Sequence, residues 1–449
     1  MKNIIKTKYG WVSGIQKDGY ILYKGIPFAK APIGELRWKA PQPPEAWEGI
    51  YEADHFPPKA IQKNQKEGFY GKEFYSAEEF DVPISEDCLY LNIWVPEHDP
   101  KEKLPTAVWI HGGAFMAGYG SEPEFDGEAY VRQGIIFITV QYRLGIFGFL
   151  ALEELRKEDE HGSTVNYGIL DQIAALKWTY DNIDAFGGDP ENITIMGQSA
   201  GAMSVQTLVS SQLTEPYISK AVMQSGGSYR KGLHSDKTVE RACEFGKHVV
   251  DKLSGNAEKM TLEELRKLSA EQISNASAVV LEENIAKGKM ELPYCPVIDG
   301  YVLKERYYET VEQGHLRKIE YLIGSNRNDI MITQEMEEKG EKGILYDGVK
   351  LLGDKLQELQ KQKTYLYYFT RQLPGDKQGA FHSAELWYMF GTLERCWRTM
   401  NESDYKLSRR MVQYWGNFIK TGNPNSQELP QWKPYTGDEE EILILDADV

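Results

Sequence analysis

Short apolar, β-branched runs recur along the chain from about position 105 onward, at 107–110, 135–140, 193–196, 221–224, 321–323 and 365–369. Each is too short for a helix and is bounded by turn residues, so each reads as a buried strand. Helical patterns lie between them. Over 167–183, Leu170, Ile173, Leu176 and Trp178 fall near helical spacing, which predicts a crossover helix. Strands and helices alternating in this way imply a large, mostly parallel sheet flanked by helices, an α/β architecture. The first hundred residues differ: Pro and Gly punctuate short strands at 25–28 and 31–34, and Pro41, Pro43 and Pro44 follow, so 1–100 predicts an antiparallel N-terminal edge. Within it, 57–80 mixes Lys, Glu and Gly with Phe69, Tyr70, Phe74 and Tyr75, a composition that suits a loop over an apolar entrance and a plain surface loop equally. Residues 235–290 are charged and helix-forming, with Leu262, Leu265 and Leu268 at helical spacing; they predict a helical insertion within a single domain spanning 1–449.

Composition narrows the partners. The chain has 51 Lys plus Arg against 67 Asp plus Glu, a net charge of −16, which disfavours nucleic acid and anionic membrane surfaces. Ten Trp and 27 Tyr are compatible with an aromatic-lined pocket as well as with ordinary packing. The N-terminal decapeptide has only the apolar pair Ile4-Ile5, so no secretory leader is visible, and no apolar run approaches the roughly 18 residues of a membrane span. Cys88, Cys243, Cys295 and Cys396 are widely spaced without a CxxC pair and read as reduced thiols of a cytoplasmic protein. Asn192-Ile-Thr194 matches a glycosylation sequon but overlaps a predicted buried strand, and reads as accidental.

The chemistry centres on Gly197-Gln198-Ser199-Ala200-Gly201 at the end of the 193–196 run. A serine projecting from a sharp strand-to-helix turn needs small residues two before and two after it, and Gly197 and Gly201 meet that need. His111-Gly112-Gly113-Ala114-Phe115 follows the 107–110 run, where a loop donating N–H groups to an oxyanion should lie; Gly112, Gly113 and Ala200 are the candidate donors. A serine nucleophile needs a histidine to take its proton and a carboxylate to hold that histidine. In the chain order serine, acid, histidine, the base comes from His234, His248, His315 or His382. His382 is best placed, shortly after the 365–369 strand; His315 reads as a solvated turn residue and His111 as a shaper of the oxyanion loop. Asp329, after the 321–323 strand, is the leading acid; a helix N-cap is its other reading, and Asp299 and Asp376 stand in reserve. Phe115, Met116, Met203 and Phe390 flank these motifs and are candidates for an apolar acyl or alcohol pocket, or equally for core.

The chain resembles the type-B carboxylesterases, the cholinesterase-like branch of the α/β-hydrolases, and especially their bacterial para-nitrobenzyl-esterase-like members. The motifs are Gly25-Ile-Pro-Phe-Ala29, Glu86-Asp-Cys-Leu-Tyr-Leu-Asn92, His111-Gly-Gly-Ala-Phe115, Tyr142-Arg-Leu-Gly145, Phe186-Gly-Gly-Asp-Pro-Glu-Asn-Ile-Thr194, the Ser199 turn and Phe381-His-Ser-Ala-Glu-Leu386. The resemblance covers nearly the whole length. It implies an α/β-hydrolase fold, Ser199 as nucleophile, His382 as base, Asp329 as acid, an oxyanion hole of Gly112, Gly113 and Ala200, and Ser225 as a serine supporting the triad. It also implies hydrolysis of small-molecule esters, apolar or aromatic, with no metal or organic cofactor and no oligomeric state specified. Three features depart from the family pattern: an aspartate stands where the acid is usually glutamate, no cysteine precedes Cys88 to pair with it, and the short stretch from Asp329 to His382 implies a trimmed helical cap over 330–381 with a more open site. The alternatives are a non-catalytic cholinesterase-like binding or adhesion protein, and an amidase or thioesterase using the same three residues.

Overall fold

Alternate residues of the central strands are buried on opposite sides: Val108 and Ile110 in one apolar cluster, Ala107 and Trp109 in the other. Strands apolar on both faces belong inside a sheet covered by helices on both sides. The computed structural model describes residues 3–63, 65–98, 101–163, 165–233, 237–255, 260–288, 291–359 and 362–447, and shows such a sheet.

Ten strands form it. In chain order they are β1 (Ile15–Lys17), β2 (Tyr20–Pro27), β3 (Tyr90–Pro96), β4 (Leu104–Ile110), β5 (Ile136–Val140), β6 (Gly188–Gln198), β7 (Lys220–Gln224), β8 (Glu320–Asn326), β9 (Thr364–Phe369) and β10 (Leu443–Leu445). Their spatial order is β10-β9-β8-β7-β6-β4-β5-β3-β2-β1. From β5 through β10 every pairing is parallel, and β1, β2 and β3 add an antiparallel edge. This is the α/β-hydrolase fold. Of the two short N-terminal strands expected from the prolines, 25–28 falls at the end of β2, whereas 31–34 leads into a turn of 3-10 helix at Gly34–Leu36. Three further short strands, Ile4–Lys6, Trp11–Ser13 and Ile50–Glu52, make a small separate sheet.

The crossover helix Tyr167–Asn182 is anchored to the carboxyl end of the sheet by a buried pair: Arg143, just after β5, donates from Nε and Nη2 to Asp171 at 2.8 and 2.7 Å. Over 235–290 the described residues form the helices Val239–Ser254, Leu262–Lys267 and Ala270–Ala286, the last two opened by capping boxes from Thr261 and Ser269. Between Asp329 and β9 lie the helices Gln334–Glu338 and Gly343–Leu359. Among the described residues no cysteine forms a disulfide. Among the described residues no helix is long and apolar enough to cross a membrane, and no His, Cys, Asp and Glu cluster could hold a metal ion.

Candidate active site

The parallel strands end together, and their carboxyl ends assemble the site. β6 runs into Ser199, which holds φ 55° and ψ −123° before the helix Ala200–Ser210 begins. That left-handed conformation is costly for a serine, and the packing around it enforces it. A Cβ on Gly197 would lie 2.4 Å from the Gly201 carbonyl carbon, and one on Gly201 would lie 2.1 Å from the Ile110 carbonyl oxygen. Only glycine allows helix and strands to approach this closely.

Beside the turn, the loop after β4 doubles back through positive φ at Gly113 (98°), Ala114 (56°) and Phe115 (58°). His111 locks it: the ring stacks on Tyr142 at 4.5 Å, Nδ1 donates to the Gly112 carbonyl at 2.9 Å, and Tyr142 Oη donates to the His111 carbonyl at 3.0 Å. Burial pushes the His111 pKa down to about 4, so the ring is neutral at physiological pH and shapes the loop. The N–H groups of Gly112, Gly113 and Ala200 have no hydrogen-bond acceptor among the described residues, and Ala200 opens a helix whose dipole favours an anion there.

Asp329 lies three residues beyond the end of β8, closer than expected because the strand extends to Asn326. Its Oδ2 accepts from Ser225 Oγ at 2.7 Å and the Asn326 N–H at 3.0 Å, and its Oδ1 accepts from the Ile330 N–H and from His382 Nδ1. The aspartate reaches the imidazole despite its short side chain because the two loops are zipped together. Asn328 forms a parallel bridge with Phe381, and its N–H donates to the Ala380 carbonyl at 3.0 Å. Its side chain accepts from the Ala380 N–H at 2.8 Å. Burial alone would lower the His382 pKa, but the charge and hydrogen bond of Asp329, helped by the charge of Glu385, outweigh it and hold the imidazole above its ordinary value.

With Nδ1–H committed to Asp329, Nε2 carries the lone pair, which accepts from the Gln198 side-chain amide at 3.2 Å. Ser199 Oγ itself has no partner among the described residues. The structure therefore brings Ser199, Asp329, His382, Gly112, Gly113, Ala200 and Ser225 to one end of the sheet. The reserve residues sit elsewhere: Asp299 accepts from Ser163 and three backbone N–H groups, and Asp376 pairs with Arg398. His315 is an exposed partner of Glu305, His248 is exposed, and His234 lies outside the described residues.

The pocket candidates separate. Phe115 is fully buried, edge-on to Phe149, and Met203 lines a cavity of only about 10 Å³ with Gln206 and Tyr307. Met116, half-buried, packs on the same core cluster, in the loop after β4. Phe390 belongs to the other face of the sheet, in contact with Trp109, Phe125, Tyr130 and Phe137. The short helix Glu385–Phe390 turns it away from the site.

Of four further side chains at the site, Gln198 and Glu385 gave no sequence signal as site residues, and Phe69 and Tyr70 were legible only as part of an entrance segment. Gln198 has been described. Glu385 is fully buried, accepts from Gln224 Nε2 at 3.2 Å and from Asn326 Nδ2 at 2.5 Å, and burial, with the charge of Asp329 adding to it, pushes its pKa up to about 7. Phe69 and Tyr70 lie on the helix Gly68–Phe74, so the 57–80 segment is in part ordered helix rather than loop throughout. Phe69 meets Phe381 edge-on at 4.9 Å, and Tyr70 Oη donates to the His382 carbonyl at 3.3 Å.

Residues 1–350 and 345–449 match the carboxylesterase family model. The chain is 33% identical to a para-nitrobenzyl esterase of Bacillus subtilis over 99% of its own length and 95% of that protein's. Among solved structures, a thermophilic para-nitrobenzyl esterase superposes with a TM-score of 0.85 at 31% identity, covering 100% of this chain and 96% of its own. A carboxylesterase of Geobacillus stearothermophilus superposes at 0.80 with 31% identity, covering 99% and 96%. The chain belongs to the carboxylesterase family of α/β-hydrolases, and with it to the carboxylic-ester hydrolases.

Proposed function

We propose that the chain hydrolyses esters of small, apolar or aromatic molecules through an acyl-enzyme on Ser199. Substrate binding turns the Nε2 lone pair of His382 from the Gln198 amide to the Ser199 hydroxyl by side-chain rotation. Ser199 Oγ attacks the ester carbonyl carbon while Nε2 takes its proton. The charge that develops on the carbonyl oxygen is met by the free N–H groups of Gly112, Gly113 and Ala200, each worth about 3 kcal/mol of transition-state stabilisation. Collapse of the tetrahedral intermediate breaks the bond to the alcohol oxygen, which leaves with the imidazolium proton. Water then attacks the acyl-enzyme with His382 again as base, releasing the acid and restoring Ser199. Asp329 holds the Nδ1–H of the imidazole and so leaves the lone pair on Nε2, and Ser225 and the Asn326 N–H hold Asp329.

The observation that carries the reading is a strained serine at φ 55°, flanked by three unpaired N–H groups and a buried His382–Asp329 pair. No metal or organic cofactor enters the scheme. Four cysteines with no disulfide among the described residues support a reducing, cytoplasmic setting. The test is turnover of a nitrophenyl ester series of increasing acyl length beside the matched anilide and thioester. The expected result is rapid ester cleavage with a slower anilide. Ester turnover at the uncatalysed rate would return the chain to the binding-protein class, and an anilide cleaved as fast as its ester would make it an amidase.

A further inference from the structure

The helix Gly68–Phe74 and the loop that carries His382 are tied together by one buried guanidinium. The side chains of Glu73 and Arg398 are both 0% exposed. Arg398 Nε lies 3.0 and 3.1 Å from the two Glu73 oxygens, and Nη2 lies 3.0 Å from Oε2. The same guanidinium reaches the loop before His382 twice, from Nη2 to Asp376 Oδ2 and from Nη1 to the Pro374 carbonyl, each at 2.7 Å. Glu73 also accepts from the indole N–H groups of Trp387 at 3.1 Å and Trp397 at 2.7 Å. At the other end of the joint, Phe69 packs on Phe381, Tyr70 Oη donates to the His382 carbonyl, and Phe74 stacks on Trp387 at 5.5 Å.

A buried ion pair gains little net stability, because desolvation offsets most of its attraction. What a fully partnered one supplies is a single arrangement of the segments it joins. We propose that Arg398, acting through Glu73, is a positioning residue for the ester reaction. It makes the entrance helix and the 373–382 loop one rigid unit, so that Phe69 and Tyr70 stand as a fixed aromatic wall against the substrate while His382 keeps its place as the base for Ser199. The inference rests on the assignment of His382 as base.

The test uses the full chain with Glu73→Gln, Tyr70→Phe and both together, assayed on nitrophenyl acetate and nitrophenyl octanoate. Active sites are counted by stoichiometric release of nitrophenol from diethyl nitrophenyl phosphate. Expected for Glu73→Gln is a kcat per titrated site about tenfold lower on both esters, since small misplacements of a reacting group cost this much or more. The acid limb of kcat/KM should also move to lower pH, because a loosened loop weakens the bond that holds the imidazole pKa up. The double variant should fall no more than about twofold below Glu73→Gln alone, the signature of two groups acting as one unit. Wild-type kcat and pH profile per titrated site in Glu73→Gln, or losses that simply multiply in the double variant, would overturn the proposal. A wild-type chain that is not titrated at all would instead overturn the esterase reading beneath it. Should Glu73→Gln give no folded protein, Trp397→Phe, which deletes one donor to Glu73, must show the same coupling to Tyr70→Phe, or the proposal falls.

Discussion

At the residue scale, the site depends on how the two imidazole nitrogens of His382 are used. Nδ1–H is fixed by Asp329, and Nε2 faces a neutral amide from Gln198. A carboxylate at 198 would stabilise the imidazolium. Gln198→Glu should therefore raise the His382 pKa and move the acid limb of kcat/KM to higher pH, read from a pH–rate profile; an unmoved limb would show that this amide does not face the base in solution. Asp329→Asn keeps the shape but lets the wrong nitrogen carry the proton, and kcat should fall by about 10³ to 10⁴. A loss below tenfold would shift the acid's role to another carboxylate, with Glu385 the nearest candidate. Much of this was legible in the sequence, because strained turns demand particular residues: Gly197, Ser199 and Gly201 could be read from spacing alone. Glu385 could not, since a glutamate in the first turn of a helix looks the same whether it faces solvent or is buried against Gln224 and Asn326. Phe390 misleads for a related reason: it lies near His382 along the chain, but the helix Glu385–Phe390 buries it among Trp109, Phe125, Tyr130 and Phe137.

At the element scale, the close approach of β6, the loop after β4 and the helix Ala200–Ser210 sets both the proposed nucleophile Ser199 and the proposed oxyanion donors Gly112, Gly113 and Ala200. Gly201→Ala would drive a methyl into the Ile110 carbonyl. It should cost about 3 kcal/mol in urea unfolding and at least about 100-fold in kcat/KM, because it displaces Ser199 and Ala200 together. Near-wild-type values for both would mean that the turn is looser than its packing requires. The mostly parallel sheet and its antiparallel N-terminal edge were readable, because short apolar runs alternate with helical patterns from about 105 onward while Pro and Gly punctuate the first hundred residues; the spatial order of the strands was not. The zipped loops of Asn328 and Phe381 were not, because a bridge between residues more than fifty positions apart leaves no local pattern. The helix Gly68–Phe74 was hidden likewise: its length is marginal for an isolated helix, and its buried Glu73 is held by Arg398 from far along the chain.

At the scale of the whole molecule, an acidic chain has buried carboxyl groups in places where they cannot readily ionise. Burial pushes Glu385 and Glu122 each up to about 7, and pushes Glu124, beside Glu122, well above its ordinary value. A carboxyl whose folded pKa is raised costs nothing below its ordinary value near 4.5 and destabilises the fold increasingly as pH rises from there to about 7. For Glu385 that is about 3 kcal/mol. The raised pKa of His382 acts in the same direction, since its contribution is complete below 6.5 and is lost as pH rises through the folded value. Calorimetry should therefore find the highest Tm in mildly acidic solution and a decline toward pH 9, and Glu122→Gln, which keeps an acceptor for the Tyr119 N–H, should flatten that decline. A Tm independent of pH in both proteins would contradict the burial of these groups.

The central claim is that one hydroxyl, at position 199, carries the acyl group. Its most direct measurement is intact-mass and peptide analysis of the chain after reaction with diethyl nitrophenyl phosphate, with Ser199→Ala in parallel. The expected result is one diethylphosphoryl group per chain on the Ser199 peptide, ester turnover lost in step with labelling, and neither label nor turnover in Ser199→Ala. A label on another residue, or a Ser199→Ala chain that still turns over nitrophenyl esters at the wild-type rate, would contradict it.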